Sequence, residues 1–375
     1  MRICGPQELF NDVQQRGLCI GCGGCVELCP YFRTYKGRTT MLFPCDRQEG
    51  RCHAHCPKTE VDLDHLARQQ GAAAYPDAPL GPCRRIVTAR AGTLLIGEGF
   101  QSGGTVSALM TCALATGQIE AAVLTGRKGL EPVPVLATRQ DDVLGCAASK
   151  YTAAPTLAAL NRAVKEGRRK IGVVGTPCQV TAVTQMRANP LRQEDFKDPV
   201  SLVVGLFCTW ALDTRRLMDL LARSMDIATI VKMDIPPPPA EVLVIESSRG
   251  RVEMPLSQIR PLVPDGCRIC PDMTAEWADL SVGVLEGEPH WNTLIIRTLT
   301  GEALVQRAVD DGWLVTGDYV PGLLEHLTLA AQGKKRRALA KAEAEGLLNT
   351  DPQKGAAALR LDRQTVNTIL GRREV

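Results

Sequence analysis

Between Cys19 and Pro30 the chain reads CIGCGGCVELCP, four thiols within eleven residues. Such a run restricts the fold severely. It holds too few bulky apolar side chains to make a packed interior, so its shape must come from whatever the thiols bind. The chain carries fifteen cysteines in all. An odd count, behind a first stretch MRICGPQELFND that lacks the apolar segment of a secretory leader, points to metal ligation rather than disulfides. There is no run of about 18 apolar residues to span a bilayer, and a cytoplasmic location is expected.

Cys19, Cys22, Cys25 and Cys29, with Pro30 after them, have the C-x2-C-x2-C-x3-C-P spacing of bacterial ferredoxins, where three thiolates hold one cubane and the fourth reaches the other. Zinc uses paired C-x2-C units farther apart, so the run favours iron-sulfur. The return half, CDRQEGRCHAHCP, supplies Cys45, Cys52 and Cys56 before Pro57. This assigns Cys56 to the cluster of Cys19, Cys22 and Cys25, and leaves Cys29, Cys45 and Cys52 for a second. A regular motif has another cysteine near Gln48 or Glu49, and here it is missing. Either Cys4 or a carboxylate takes the fourth position, or the cluster is a three-iron species, or it is absent. His53 and His55 flank Cys52 and are expected as exposed loop residues.

At 375 residues, 45% of them apolar and 23% charged, the chain is an ordinary folded protein of two or more domains. A net charge of +3 is too slight to argue for nucleic acid. The expected domains are a ferredoxin-like one over residues 1–82, held by clusters rather than a core, an α/β body over 83–322 and a charged helical extension over 323–375. GAAAYPDAPLGPC, Gly71 to Cys83, reads as the linker out of the first. In the body, TLLIGEG (Thr93 to Gly99) is expected as a strand, Thr105 to Gly117 as a helix and AAVLTG as the next strand. Pro155 to Gly167 is expected as a helix, Lys170 to Gly175 as a strand, a helix follows from about Gln179, and Val200 to Cys208 is a strand. The alternation implies an α/β fold with a largely parallel sheet. VLVIESSRGRVEMPL reads as a hairpin, and LDRQTVNTIL near the end as an exposed helix.

A second group of thiols lies in the body: Cys178 in GTPCQ, Cys208 in GLFC, and Cys267 and Cys270 in GCRIC. Two follow strand ends and two form a C-x2-C loop. Their spacing is open to zinc or a cubane alike. Cys112, on an apolar helix stretch, is expected as core packing. The stretch GEGFQSGGTVSALM combines a glycine turn with a helix start, so the amides of Gly103, Gly104 and Thr105 are candidates to cradle an anion. The spacing is not G-x-G-x-x-G, and beside iron-sulfur ligands a flavin pyrophosphate is the better match. The five histidines (His53, His55, His65, His290, His326) show no metal spacing.

QSGGTVSALMTCALATGQIEAAVLTG, VLATRQDDVLGCAASKYT, KIGVVGTPCQV, GLFCTW and CRICPDMTAEWADLSVG together resemble the coenzyme F420 hydrogenase/dehydrogenase beta-subunit family, in order from about Arg85 to Gly312. The resemblance implies an FAD-binding α/β domain with a 4Fe-4S cluster, and Cys178, Cys208, Cys267 and Cys270 match its ligands. It also implies flavin contacts from Gln101, Ser102, Gly103, Gly104, Thr105 and Val106, and from Ser149, Lys150, Tyr151 and Thr152. Lys150 is the candidate to stabilise a reduced, anionic ring by its charge.

The expected function is a flavin-dependent oxidoreductase subunit of a larger complex. Electrons would pass between a soluble hydride carrier, coenzyme F420 or NAD(P)H, and FAD, then through the 4Fe-4S clusters to a partner redox protein. The alternatives are a ferredoxin-dependent reductase of an organic substrate, an electron relay without its own hydride donor, or a zinc-stabilised scaffold.

Overall fold

The apolar runs of the body become an eight-stranded sheet in the computed structural model, which describes residues 3–95, 100–191, 195–237, 239–351, 354 and 357–372. Across the sheet the strands run Leu314–Gly317, Arg85–Ala91, Asn292–Ile296, Leu280–Val284, Val200–Leu206, Ile171–Gly175, Ala121–Lys128 and Glu131–Ala137. Only the strands from Leu280–Val284 to Ala121–Lys128 pair in parallel. The outer ones are antiparallel, so the sheet is mixed rather than largely parallel. The reason is loop length. Lys128 pairs with Glu131 across a two-residue turn, which can only return a strand antiparallel, whereas the parallel pairs are joined through helices.

Period-two alternation sends Val123, Val173 and Val203 to one face and Leu124, Val174, Leu202 and Val204 to the other. Helices Leu157–Lys165 and Pro177–Ala188 cover the first face; Thr105–Ala115 and Leu299–Asp310 cover the second. A smaller antiparallel sheet, Ile230–Asp234, Val242–Ser247 and Gly250–Pro255, includes the expected hairpin and packs on Leu212, Leu217 and Leu221.

Three expectations change. The strand leading to the glycine turn is Arg85–Ala91, Thr93 and Leu94 form a turn, and residues 96–99 lie outside the described residues. The cysteine-rich segment does own core residues: Leu9, Val13, Leu18, Phe32 and Leu66 are buried in the same apolar cluster as Val173 and Val203. Full burial of each such side chain contributes roughly 1.5–3 kcal/mol. Tyr75, in the expected linker, is buried there too.

The terminal helix Arg363–Leu370 is not exposed on its apolar side, because Val366 and Ile369 are buried against the long helix Pro321–Ala344. Between these helices the chain crosses back to the amino-terminal segment, where Leu359–Arg360 pairs in parallel with both Leu348–Asn349 and Val61–Asp62. No helix among the described residues is long and apolar enough to cross a membrane.

Candidate functional site

The body thiols meet because three connections end at one place. Strand Ile171–Gly175 turns at Thr176 into helix Pro177–Ala188, with Cys178 in its first turn. The Thr176 amide donates to Gln179 Oε1 at 2.9 Å, fixing that turn, and the Thr176 hydroxyl lies 3.3 Å from Cys178 Sγ. Strand Val200–Leu206 ends just before Cys208, whose amide donates to Met273 O at 2.9 Å. Cys267 and Cys270 lie on the short helix Asp265–Arg268 and the turn after it. Gly266 there touches backbone so closely that a Cβ would stand 2.1 Å from Leu18 O, which locks the C-x2-C loop onto the amino-terminal segment.

Burial makes the thiolates of Cys178, Cys208 and Cys267 unfavourable, and neighbouring thiols raise them further. Cys178 is pushed up to about 12 by burial and then by Cys270 and Cys267. Cys208 goes higher for the same reason, with Cys267, Cys178 and Cys270 adding their charge to burial. The four expected ligands are therefore neighbours.

The amino-terminal thiols influence one another as well. Cys22 is raised by burial, then by Cys56, Cys178 and Cys19; Cys25 by burial, then by Cys19, Cys22, Cys56 and Cys52. Cys19, Cys22, Cys25 and Cys56 line one cavity, with Leu9 and Lys58 on its wall. Cys52 is pushed up to about 11, by burial and then by Cys29 and Cys45. Cys4 is held on the same turn, since Gly50 N donates to Cys4 O at 3.0 Å and Cys4 N to His53 Nδ1 at 3.4 Å. His53 and His55 are buried, not exposed, and burial with the Arg51 charge lowers His55 to about 4.

Two cross-links matter most. Cys22 is raised by Cys178, and Cys25 by Cys52, so the set of Cys19, Cys22, Cys25 and Cys56 is near both of the others. The body grips this set through helix Leu157–Lys165: the Asn161 side chain donates to Gly24 O at 3.0 Å and Val26 O at 2.7 Å, and Leu157 N to Cys22 O at 3.1 Å. Among the described residues, no three Cys, His, Asp or Glu side chains are close enough to hold a single metal ion. Cys112 is core packing, fully buried on its helix.

The glycine turn differs from expectation in one respect. Gly104 takes φ 76° at the start of helix Thr105–Ala115, a backbone that suits glycine. The Thr105 amide, however, is not free: it donates to Asn292 Oδ1 at 3.3 Å, while the buried Thr105 hydroxyl has no hydrogen-bond partner among the described residues. Ser102 donates to Trp291 O at 2.9 Å, and Val106 packs against the second-face core.

The two segments expected to flank one ligand do come together. Gln101 Nε2 donates to Asp234 Oδ1 at 2.6 Å, Tyr151 OH to the same oxygen at 2.7 Å, and Ser149 N to Gln101 Oε1 at 3.5 Å. Thr152 bridges to Leu212. Lys150 Nζ donates to the carbonyls of Cys146, Ala147 and Ala148, at 2.5, 3.0 and 2.9 Å.

Sequence reasoning missed the contribution of helix Pro321–Ala344. Lys334, 6% exposed, reaches the body thiols and donates from Nζ to Cys208 O at 2.6 Å and Asp272 O at 2.7 Å. Lys335 is 2.9 Å from Glu276 Oε1, and Tyr75 OH donates to Glu276 Oε2 at 2.7 Å. The signal was present in the helical stripe Leu327, Ala331, Lys334, Ala338 and Ala342, where a lysine occupies a core position.

Two sequence profiles, describing the amino-terminal and the carboxy-terminal parts of the coenzyme F420 hydrogenase/dehydrogenase beta chain, match residues 86–161 and 168–321. The coenzyme F420 hydrogenase subunit beta of Methanothermobacter thermautotrophicus is 30% identical over 278 residues, 72% of this chain and 98% of that protein. An uncharacterised protein of Methanocaldococcus jannaschii is 30% identical over 356 residues, covering 88% of this chain and 97% of its own length. A chain from the F420-reducing [NiFe] hydrogenase complex of Methanosarcina barkeri superposes with a TM-score of 0.66 at 28% identity, over 71% of this chain and 93% of that one. With matched profiles, these relatives and a shared architecture, the chain belongs to the coenzyme F420 hydrogenase/dehydrogenase beta-subunit family.

Proposed function

We propose that the protein is the flavin-bearing electron-transfer subunit of a redox complex, passing electrons between a soluble hydride carrier and a partner protein. The carrying observation is the convergence of the thiols: Cys19, Cys22, Cys25 and Cys56 line one cavity, with Cys22 raised by the charge of Cys178 and Cys25 by that of Cys52. FAD, when bound, exchanges a hydride for single electrons, and iron-sulfur clusters carry those singly.

The thiols fit such clusters chemically. Buried sulfurs whose charges repel one another are poor free thiolates, and only a cationic core among them offsets both costs. A tetrahedral zinc needs sulfurs about 3.8 Å apart, given Zn–S bonds near 2.3 Å. The ferredoxin spacing of Cys19, Cys22, Cys25 and Cys29 before Pro30 favours a multi-iron core over such a site. In this reading Cys178, Cys208, Cys267 and Cys270 hold a 4Fe-4S cluster, Cys19, Cys22, Cys25 and Cys56 a second, and Cys29, Cys45 and Cys52 part of a third.

For the flavin, Gln101 and Tyr151 both donate to Asp234 and the Ser149 amide donates to Gln101, which ties the turn at Ser102–Gly104 to the segment Ser149–Thr152. The buried Thr105 hydroxyl, which has no partner among the described residues, is a donor for a phosphate oxygen at this helix start. Coenzyme F420, or alternatively NAD(P)H, is the carrier that the family resemblance suggests.

Anaerobic purification followed by iron, sulfide and flavin analysis tests the reading. Flavin bands over broad iron-sulfur absorption, bleached by reduced F420 or NAD(P)H, are expected. A colourless, zinc-bearing protein overturns it.

A further inference from the structure

The helix Pro321–Ala344 lies outside the thiol-bearing motifs, yet it delivers a buried ammonium to one of them. Lys334 and Lys335 are adjacent and both buried, but their surroundings differ. Lys335 is neutralised by Glu276 at 2.9 Å, caps Ala78 O at 3.0 Å and faces the Tyr75 ring at 4.7 Å. Lys334 meets only carbonyls, those of Cys208 and Asp272, and forms no ion pair among the described residues.

The nearby anions are already engaged. The Asp272 carboxylate accepts the amides of Thr274, Ala275 and Glu276, at 2.9, 2.8 and 2.9 Å. Glu276 is paired with Lys335, and the Asp272 carboxylate also feels the charge of Arg297. A buried cation is costly unless negative charge stands near it. The groups whose charge favours the Lys334 ammonium are Cys270, Cys208, Asp272 and Cys267, so the Asp272 carboxylate is joined there by three thiols of the body set.

We propose that Lys334 is a positioning residue for the body cluster: its fixed charge, anchored on Cys208 O and Asp272 O, stabilises the added electron and raises that cluster's reduction potential. Reduction adds one electron and so one negative charge to the thiolate-bound core, while Lys334 stays protonated and no proton moves. Lys58, whose charge reaches Cys56, Cys178 and Cys267, acts on both neighbouring thiol sets, whereas Lys334 acts on the body set. The proposal rests on the reading that Cys178, Cys208, Cys267 and Cys270 hold a cluster.

The test is an anaerobic redox titration of the full chain, followed by electron paramagnetic resonance, for the wild type, Lys334→Met, Lys334→Gln and Lys334→Arg. Methionine removes the charge at similar length, glutamine keeps donors for the two carbonyls, and arginine keeps the charge. At the wild-type midpoint of the body cluster, the reduced-to-oxidised ratio is expected to fall about tenfold in the neutral variants, with arginine close to wild type. The cluster of Cys29, Cys45 and Cys52 is the internal reference and keeps its midpoint. If neither neutral variant retains the body cluster while arginine does, the need for charge is upheld.

An unchanged body midpoint, a common shift of every centre, or an arginine variant as altered as methionine overturns the proposal. A wild-type chain that shows no signal from the body set overturns the functional reading instead.

Discussion

Asn161 shows how a single buried side chain shapes the placing of the thiols. Its amide serves Gly24 O and Val26 O inside the cysteine loop, although it belongs to a helix 135 or more residues away in sequence. Asn161→Ala leaves those carbonyls without donors, at a cost of about 1–3 kcal/mol. It should speed loss of iron from the amino-terminal set under chelator challenge and leave the body set intact, and equal loss from both sets would refute the anchoring role. Lys150 is informative in another way. Burial, with Arg127 adding repulsion, lowers it to about 8 from an ordinary 10.5, although Cys146 pulls it back. The native chain then binds fewer protons than the unfolded one between about pH 8 and 10.5, so this residue penalises folding below that window and the penalty lifts as pH rises through it. Urea midpoints of the wild type, compared with Lys150→Met, should rise more steeply over this range. A flat difference would show that the carbonyls of Cys146, Ala147 and Ala148 hold the ammonium fully protonated.

Elements reveal where the sequence was readable and where it was not. Hydrophobic periodicity placed helix Thr105–Ala115, strand Ile171–Gly175 and the hairpin of Val242–Ser247 with Gly250–Pro255, because each is decided locally. The cavity shared by Cys19, Cys22, Cys25 and Cys56 has a related origin, since loop spacing limits which sulfurs can meet. Sheet direction depended instead on the returns to Glu131–Ala137 and Asn292–Ile296, and the terminal helix was misjudged because its partner lies elsewhere in the chain. Lys334 was the hardest to read, since a lysine is buried only when distant atoms receive it, here Cys208 O across 126 positions. The C-x2-C loop offers the sharpest test at this scale. In Gly266→Ala the new methyl would stand 2.1 Å from Leu18 O, backbone that cannot swing away as a side chain would. A loss of roughly 1–3 kcal/mol is expected, together with displacement of Cys267 and Cys270 and a lower iron content. Wild-type stability and iron in this variant would show that the loop and the amino-terminal segment are not locked together.

Across the whole molecule, the amino-terminal segment, the first face of the sheet and the carboxy-terminal helices share one apolar cluster, from Leu9 and Leu66 through Val173 to Leu339 and Val366. That shared core has a consequence for electron transfer. Two modules joined by a loose tether would bring their centres together only now and then. Here backbone contacts at Leu18–Gly266 and Cys22–Leu157 hold the thiol sets in register. The order is Cys178 to Cys22, then Cys25 to Cys52, with Cys19, Cys22, Cys25 and Cys56 as the middle set. If electrons take this route, removing the middle must interrupt it while both ends survive. Cys56→Ala takes one sulfur from the middle cavity without touching the body set or Cys29, Cys45 and Cys52. On the proposed function, rapid mixing of this variant with a hydride donor should reduce a bound flavin and a cluster at the body thiols at the wild-type rate. Reduction of the outer set should slow by at least about tenfold, because each electron must then cross the gap the middle centre spanned. Outer-set reduction as fast as in the wild type would mean that electrons reach Cys29, Cys45 and Cys52 by another path, and that the nearness of the sulfurs is an accident of packing.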